Sequence, residues 1–264
     1  SLKKPRWSFC TTSGKTLPWY DNIPLLSFIW LRGRSRFDGQ PISWRYPLVE
    51  LLTALLFVWI WFRFWSLPFP QEKFAPFWMM AILYMVMAGG LVAASFIDLE
   101  HFIIPDSITK TGIVLGLALS GVFPGLHGTD QFAEAFMYGV LGATSGFFIL
   151  KIIGFLGQIA FQKEAMGMGD MKLMAAVGAF LGTQAVIFSI VMASFAGSAV
   201  GLTLVLLKRT QFSNRIPFGP YLAFGTLFWM LGGDRLWFWY LSLLTREEPV
   251  LIMRVTVKML EMLV

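Results

Sequence analysis

Two aspartates, each beside a long apolar run, are the residues of this sequence best suited to acid–base chemistry. Asp98 is the first charged residue after the apolar run 77–97. Asp170 precedes a second apolar run, 173–207, and ends a Gly-x-Gly-Asp pattern. Two carboxyl groups that face each other can share a proton, so that one activates a water molecule while the other protonates a leaving group. Such a pair is the minimum set of catalytic groups that an aspartic peptidase requires.

The glycines of this pattern, Gly167 and Gly169, predict the local backbone. Because they lack a Cβ, they permit a tight turn and close approach by another chain. Asp170 is then expected in the first turn of the following helix, where the helix dipole stabilises a negative charge. A carboxylate at the end of a membrane helix is a functional candidate. The simpler interpretation is that each aspartate only ends a helix at the membrane interface.

Composition identifies the class of protein. Hydrophobic residues make up 56% of the 264 residues and charged residues only 14%, which is too apolar for an ordinary soluble domain. Residues 1–45 contain eight Lys or Arg and two acidic residues, so this segment accounts for the whole net charge of +6. A basic segment before the first apolar run is typical of the cytoplasmic side of a membrane protein. Nucleic-acid binding is not predicted, because no recognisable binding module accompanies the charge.

The apolar runs predict an all-α polytopic membrane protein. Residues 1–45 are expected to form a small cytoplasmic lobe, 46–246 a bundle of about seven transmembrane helices, and 247–264 an amphipathic segment along the interface. The predicted helices are 46–65, 76–97, 107–123, 132–161, 171–181, 185–207 and 219–231, with 236–244 extending or following the last. Threading the chain from a cytoplasmic start brings both aspartates and the basic loop 208–215 to the same side. The glycines at 139, 142 and 146 are interpreted as helix-packing positions.

Five segments, in the same order along the chain, resemble the type IV prepilin peptidase family of membrane aspartic peptidases. They are 19–27, 41–50, 97–106, 167–172 and 216–222. The resemblance implies an endopeptidase of the bacterial inner membrane with Asp98 and Asp170 as its catalytic pair. It also implies prepilin or pseudopilin substrates of type IV pili or type II secretion. Their leader is cut just after a glycine at the cytoplasmic face, while their apolar helix docks between the enzyme's helices. The chain starts where family members have already passed one apolar helix, so a further N-terminal helix is expected.

Four residues are candidates for substrate binding. Gly167 and Gly169 are expected to let the scissile backbone approach the carboxylates. Lys172 either fixes the charge of a nearby carboxylate or extends to the lipid headgroups. Glu50 matches a family position, and otherwise serves only the dipole of the first membrane helix.

Other titratable residues near the aspartates are given structural roles. Asp106 follows Pro105 and is predicted to cap the next helix. Glu100 is interpreted as a solvated acid, and His101 as a loop residue, because no second metal ligand stands at a suitable spacing. His127 is expected in a loop on the opposite side of the membrane.

No metal site is predicted. Many members of the family carry two Cys-x-x-Cys pairs in the N-terminal lobe, which is a zinc-ligand arrangement. The corresponding positions here hold Cys10, Ser13, Ser35 and Asp38, a poor ligand set for zinc. The peptidase reaction is expected to need no cofactor. The family's second activity, N-methylation of the new N-terminus, implies S-adenosylmethionine.

Two other classes of function are alternatives. A transporter or channel could use paired acids as an ion relay, but it would place them near mid-span and show repeat symmetry. A catalytically idle family member could serve as a scaffold in secretion assembly, although intact Asp98 and Asp170 argue against this.

Overall fold

The computed structural model describes residues 14–66, 77–162, 166–207 and 217–245, and the long elements in these ranges are helices. This confirms the predicted all-α fold. The chain divides into two compact units, Ser1–Trp59 and Ile60–Val264. The predicted amphipathic segment 247–264 lies outside the described residues.

The first unit contains the N-terminal lobe and most of the first long helix. A 3₁₀ turn, Trp19–Asn22, leads to the short helix α1, Leu26–Trp30, and then to α2, Arg45–Ser66. Within the lobe, Arg36 donates two hydrogen bonds of 2.7 Å to the carboxylate of Asp21. This bidentate ion pair joins the 3₁₀ turn to the chain that follows α1.

The second unit contains the remaining helices of the described ranges. They are α3 (Phe77–His101), α4 (Asp106–Val122), α5 (Phe132–Phe161), α6 (Met168–Leu206), α7 (Gly219–Phe228) and α8 (Asp234–Thr245). A 3₁₀ turn, Pro124–His127, lies between α4 and α5, and a π turn, Trp229–Gly233, lies between α7 and α8. Helix α5 has the bounds predicted from the sequence.

Among the residues that the structure describes, four helical segments are each long and apolar enough to cross a membrane. They are Arg45–Trp65, Trp78–His101, Phe132–Ala160 and Met168–Leu206. The protein is therefore a multi-pass membrane protein, as predicted. Helices α4 and α7 have 17 and 10 residues, fewer than the ~20 that a bilayer requires. The number of about seven spans stays a prediction.

Helix α6 is the element against which α4, α5 and α7 pack. Its backbone is interrupted at Gly182, with φ 78° and ψ 176°, where the Gly-Thr-Gln sequence predicts a break. A Cβ at Gly142 of α5 would collide with the carbonyl oxygen of Gly178, and one at Gly146 with that of Met174. These glycines therefore have the predicted packing role, since they let α5 and α6 approach closely.

The end of α3 differs from the prediction. The sequence predicts a loop from Asp98 to Asp106, but α3 continues through His101. The Phe102 amide still donates to the Asp98 carbonyl at 2.8 Å, and the chain leaves the helix at Phe102 with φ 55°. Continuing the helix satisfies backbone hydrogen-bonding groups that an irregular loop would leave open. His101 is thus a helix-end residue, and its assignment to a loop is wrong.

Candidate active site

The carboxyl end of α3 meets the amino ends of α6 and α7. Ile104, in the loop after α3, is buried between these two helix starts. A Cβ at Gly169 would lie 3.1 Å from the Cβ of Ile104, and one at Gly219 would lie 2.9 Å from its Cδ1. Ile104 therefore acts as an apolar spacer that brings three chain segments to one place.

Asp98 lies in the last turn of α3, with only 6% of its surface exposed. Its Oδ2 accepts a hydrogen bond of 3.2 Å from the backbone amide of Gly219, the first residue of α7. A Cβ at Gly219 would lie 2.7 Å from the same oxygen. Glycine at this position therefore allows α7 to begin directly against the carboxylate.

Asp170 is the third residue of α6, and only 9% of its surface is exposed. Its Oδ2 accepts a hydrogen bond of 3.3 Å from the amide of Gly167, the residue that precedes the helix. The predicted first-turn position is confirmed. Each aspartate thus receives an amide from a glycine at the amino end of a helix, where free amides and the helix dipole stabilise negative charge.

The carboxylates of Asp98 and Asp170 are close enough to interact electrostatically. Both are largely removed from water. Two buried like charges repel each other, so a pair of this kind favours the state in which one carboxyl group holds a proton. The arrangement can therefore supply a proton acceptor and a proton donor side by side.

Asp106 forms an ion pair with Lys172, which follows Asp170 by two residues in the chain. The Nζ of Lys172 lies 2.7 Å from Oδ1 of Asp106, and the Nζ of Lys110 lies 2.8 Å from its Oδ2. Hydrogen bonds from Lys110 and Lys172 lower the pKa of Asp106 to about 2. The predicted capping role of Asp106 is wrong, because Pro105 occupies the capping position. The carboxylate of Asp106 instead pairs with the ammonium groups of Lys110 and Lys172. Of the two roles considered for Lys172, this contact favours pairing with a carboxylate.

The two glycines of the Gly-x-Gly-Asp pattern have different neighbours. At Gly169 the space of a side chain is taken by Ile104, so the missing Cβ serves the approach of this chain's own loop. At Gly167 a Cβ would lie 3.4 Å from Oδ2 of Asp170, which is an ordinary contact. Approach of a substrate to either glycine stays a prediction.

The remaining predicted candidates lie in the first unit. Oε2 of Glu50 accepts a hydrogen bond of 2.8 Å from the amide of Leu25. Leu25 has φ 61° and ψ −46°, a strained conformation for leucine, so Glu50 holds the turn that begins α1. A role for Glu50 in substrate binding stays a prediction. Of the positions that correspond to zinc ligands, Cys10 and Ser13 lie outside the described residues.

Sequence reasoning does not identify Gly219 or Ile104 as residues of the site. Both lie in segments that resemble the family, 216–222 and 97–106, but a backbone donor and an apolar spacer carry no chemical signature of their own. Gly219 is 121 residues from Asp98 in the chain, and only the fold brings them together.

Comparison with known proteins gives the family. Residues 85–202 match the type IV leader peptidase family, and residues 1–64 match the bacterial Peptidase A24 N-terminal domain. A prepilin leader peptidase/N-methyltransferase of Aeromonas hydrophila is 39% identical over 242 residues, which are 92% of this chain and 77% of that protein. A protein of the same name from Myxococcus xanthus is 42% identical over 78% of this chain and 56% of its own length. Another, from Xanthomonas campestris, is 37% identical over 84% of this chain and 71% of its own length. No solved structure matches the chain. From the identity shared with these relatives over most of its length, the chain belongs to the type IV leader peptidase family.

Proposed function

We propose that the protein is an integral membrane aspartic endopeptidase that cleaves the leader from prepilin or pseudopilin substrates. The observation that carries the proposal is the pair of buried carboxylates, Asp98 and Asp170, each bound by a glycine amide. The name shared by the relatives, prepilin leader peptidase/N-methyltransferase, supports the class of substrate.

The reaction needs one proton acceptor and one proton donor. The ionised carboxylate takes a proton from water while the water oxygen attacks the carbonyl carbon of the scissile bond. The protonated carboxyl group gives its proton to the leaving nitrogen as the C–N bond breaks. The products are a leader with a new carboxyl group and a mature protein with a free amine. Because the pair titrates as a unit, neither aspartate is assigned to one role alone.

An ion relay in a transporter or channel is not favoured. A relay of that kind places its acids near mid-span. Asp98 instead lies in the last turn of α3, and Asp170 lies in the first turn of α6. An idle scaffold has no use for two buried carboxylates, whose removal from water costs free energy.

Substitution of each aspartate tests the proposal. We expect Asp98→Asn and Asp170→Asn each to reduce leader cleavage by roughly 10⁴-fold or more, and the double variant to be no worse, because groups that act as a unit are strongly non-additive. The assay follows the size shift of a purified prepilin-like substrate in detergent. The pH–rate profile of the unmodified protein should be bell-shaped, since both protonation states are required.

The matched control is Glu100→Gln, the same carboxyl-to-amide change at an exposed position in the same turn as Asp98. This variant should keep most of its activity. All variants should elute as folded protein with an unchanged unfolding temperature or a slightly higher one. Near-wild-type cleavage by Asp98→Asn, in a protein that remains folded, would refute the catalytic assignment.

We assign the protein to the bacterial inner membrane, with the carboxylates facing the cytoplasm. The basic segment 1–45 supports this orientation. In a Cys10→Ser background, Phe102→Cys should be labelled only from the cytoplasm, and Asp130→Cys, in the loop before α5, only from the periplasm. Phe102 and Asp130 are both exposed. Periplasmic labelling at 102 would reverse the assignment.

S-adenosylmethionine is the cofactor that the relatives' second activity implies. A cavity between α6 and the start of α7 is lined by uncharged residues, Ser194, Gly197, Ser198, Phe218 and Tyr221. The cofactor carries a sulfonium, an ammonium and a carboxylate group, and this lining offers the carboxylate no cationic partner. The cavity does not fit the cofactor, and the proposed peptidase reaction uses none.

A further inference from the structure

Helix α1 of the N-terminal lobe turns its most apolar face outward. Leu26, Ile29 and Trp30 are spaced by three and four residues, so their side chains share one side of the helix. Their exposed fractions are 63%, 70% and 82%. Phe28 lies on the opposite side, where the centre of its ring is 4.8 Å from the centre of the Trp44 ring. The lobe therefore packs one side of α1 and presents the other, with three large apolar side chains, to its surroundings.

Two contacts hold α1 beside the first turns of α2. The amide of Leu25, at the start of α1, donates to Oε2 of Glu50 in α2 at 2.8 Å. Trp44, which contacts Phe28, directly precedes α2. The segment Arg45–Trp65 is long and apolar enough to cross a membrane, so its first turns lie near the lipid headgroups. The outward face of α1 is therefore held close to the headgroups of the leaflet at which α2 begins.

Exposed aromatic residues flank α1 in the chain. Trp19 precedes it, Trp44 and Tyr46 follow it at the start of α2, and all three are exposed. Tryptophan and tyrosine concentrate where hydrocarbon meets headgroups, because their rings are apolar in one part and polar in another. The place of Trp44 and Tyr46 at the start of a membrane helix favours lipid as the occupant of this surface over another protein.

The exposed charge that follows this face in the chain is positive. Arg32 and Arg34 come two and four residues after the end of α1, and both are exposed. Of the acids in the described part of the lobe, Asp21 is paired with Arg36 and has a side chain only 4% exposed, and Asp38 is partly buried. Exposed cations next to exposed apolar side chains complement a leaflet of anionic phospholipids.

We infer that the face of α1 formed by Leu26, Ile29 and Trp30 lies in the headgroup region of the leaflet at which α2 begins, and that Arg32 and Arg34 bind the phosphates of anionic phospholipids there. The lobe is thus attached to the membrane at a second place, in addition to its covalent connection to α2. This placement is independent of the proposed peptidase function, because it requires only that α2 cross the membrane.

The test uses the full chain in nanodiscs that contain phosphatidylglycerol and phosphatidylcholine. In a Cys10→Ser background, which removes the single cysteine, Ile29→Cys carries an environment-sensitive fluorophore. A nitroxide on the lipid acyl chain should quench this label, and iodide in the water should quench it several-fold less than it quenches the control. Gln40→Cys is the matched control, since position 40 is an exposed site of the same lobe outside α1. Its label should be quenched by iodide and not by the lipid nitroxide.

A second measurement tests the two arginines. Replacing both Arg32 and Arg34 with Gln should lower the ratio of membrane-bound to free Ile29 label by roughly 30-fold, about fivefold for each lost cation. The ratio is obtained from the two lifetime components of the label. The same replacement should leave the ratio unchanged in nanodiscs of phosphatidylcholine alone, because that lipid carries no net charge.

Equal iodide quenching of the labels at positions 29 and 40 would overturn the inference. A label at position 29 that is shielded from both quenchers would also overturn it, because a second copy of the chain or another protein would then cover the face. An unchanged ratio after replacement of both arginines would refute the phosphate contact. If the Ile29→Cys protein does not fold, Leu26→Cys, on the same face of α1, decides by the same criteria.

Discussion

Replacing Gly219 with alanine should impair catalysis without unfolding the protein. The added Cβ would lie 2.7 Å from Oδ2 of Asp98 and 2.9 Å from Cδ1 of Ile104. Since ordinary contacts begin near 3.4 Å, the carboxylate and the start of α7 must separate by about 0.7 Å. The hydrogen bond between them is already 3.2 Å long and would stretch to roughly 3.9 Å, where it no longer counts as a bond.

The loss of this bond determines the size of the effect. A hydrogen bond to a charged group contributes about 1.5–3 kcal/mol. If the whole free energy of this hydrogen bond is lost from the transition state, kcat falls roughly 10- to 150-fold. KM should change little, because the amide of Gly219 holds a catalytic group and not the substrate. Alanine favours helix over glycine by up to about 1 kcal/mol, which offsets part of the strain and preserves the fold.

The assay is leader cleavage by purified protein in detergent, with kcat and KM measured separately and the unfolding temperature recorded for each variant. Gly90→Ala is the control, because the nearest atom to a Cβ at Gly90 of α3 is 3.9 Å away. It should match the unmodified protein in both kinetic constants. A Gly219→Ala variant with unchanged kcat would show that this amide does not position Asp98, and the description of the site would have to be revised.

Two further predictions concern an ion pair and a partly buried histidine. Arg63 Nη2 and Asp234 Oδ2 are 2.6 Å apart, with side chains 13% and 29% exposed. Arg63→Met should therefore lower the free energy of unfolding by about 3 kcal/mol, and adding Asp234→Leu should recover much of this, because an unpaired buried charge costs more than an apolar pair. Denaturant unfolding in detergent measures both, and a fully stable Arg63→Met protein would contradict the argument. Burial lowers the pKa of His127 from 6.5 to about 4. Between these values the unfolded chain binds a proton that the folded chain does not, so the free energy of unfolding should fall by up to about 3 kcal/mol as the pH drops from 6.5 to 4. A pH series of unfolding temperatures should show a smaller slope for His127→Gln, and an equal slope would disprove the assignment.

Features set by neighbouring residues were predictable from the sequence. The bounds of α5 follow from one long, mostly apolar run, and the break in α6 follows from Gly182 and the polar residues after it. The first-turn position of Asp170 follows from the glycines that precede it. In each case the cause lies within a few residues of the effect, so the pattern alone carries the information.

Features that depend on contacts between distant segments were not predictable. The carboxylate of Asp106 pairs with Lys172, 66 residues further along the chain. This contact replaces the helix-capping role that the sequence predicts for Asp106. The role of Gly219 depends on a hydrogen bond to Asp98 across 121 residues. A sequence shows that both residue types are present, but their pairing is decided by how the helices pack. The extent of α3 was also underestimated, because its charged final turn looks like a loop when taken alone.

The two aspartates differ in the support that each receives from its own helix. Asp170 lies at the amino end of α6, where the helix dipole favours a negative charge. Asp98 lies at the carboxyl end of α3, where the dipole of its own helix opposes a negative charge. The amino end of α7 compensates, because it directs the Gly219 amide and its positive dipole end at Asp98. The start of α7 therefore belongs to the site as fully as the two acidic segments.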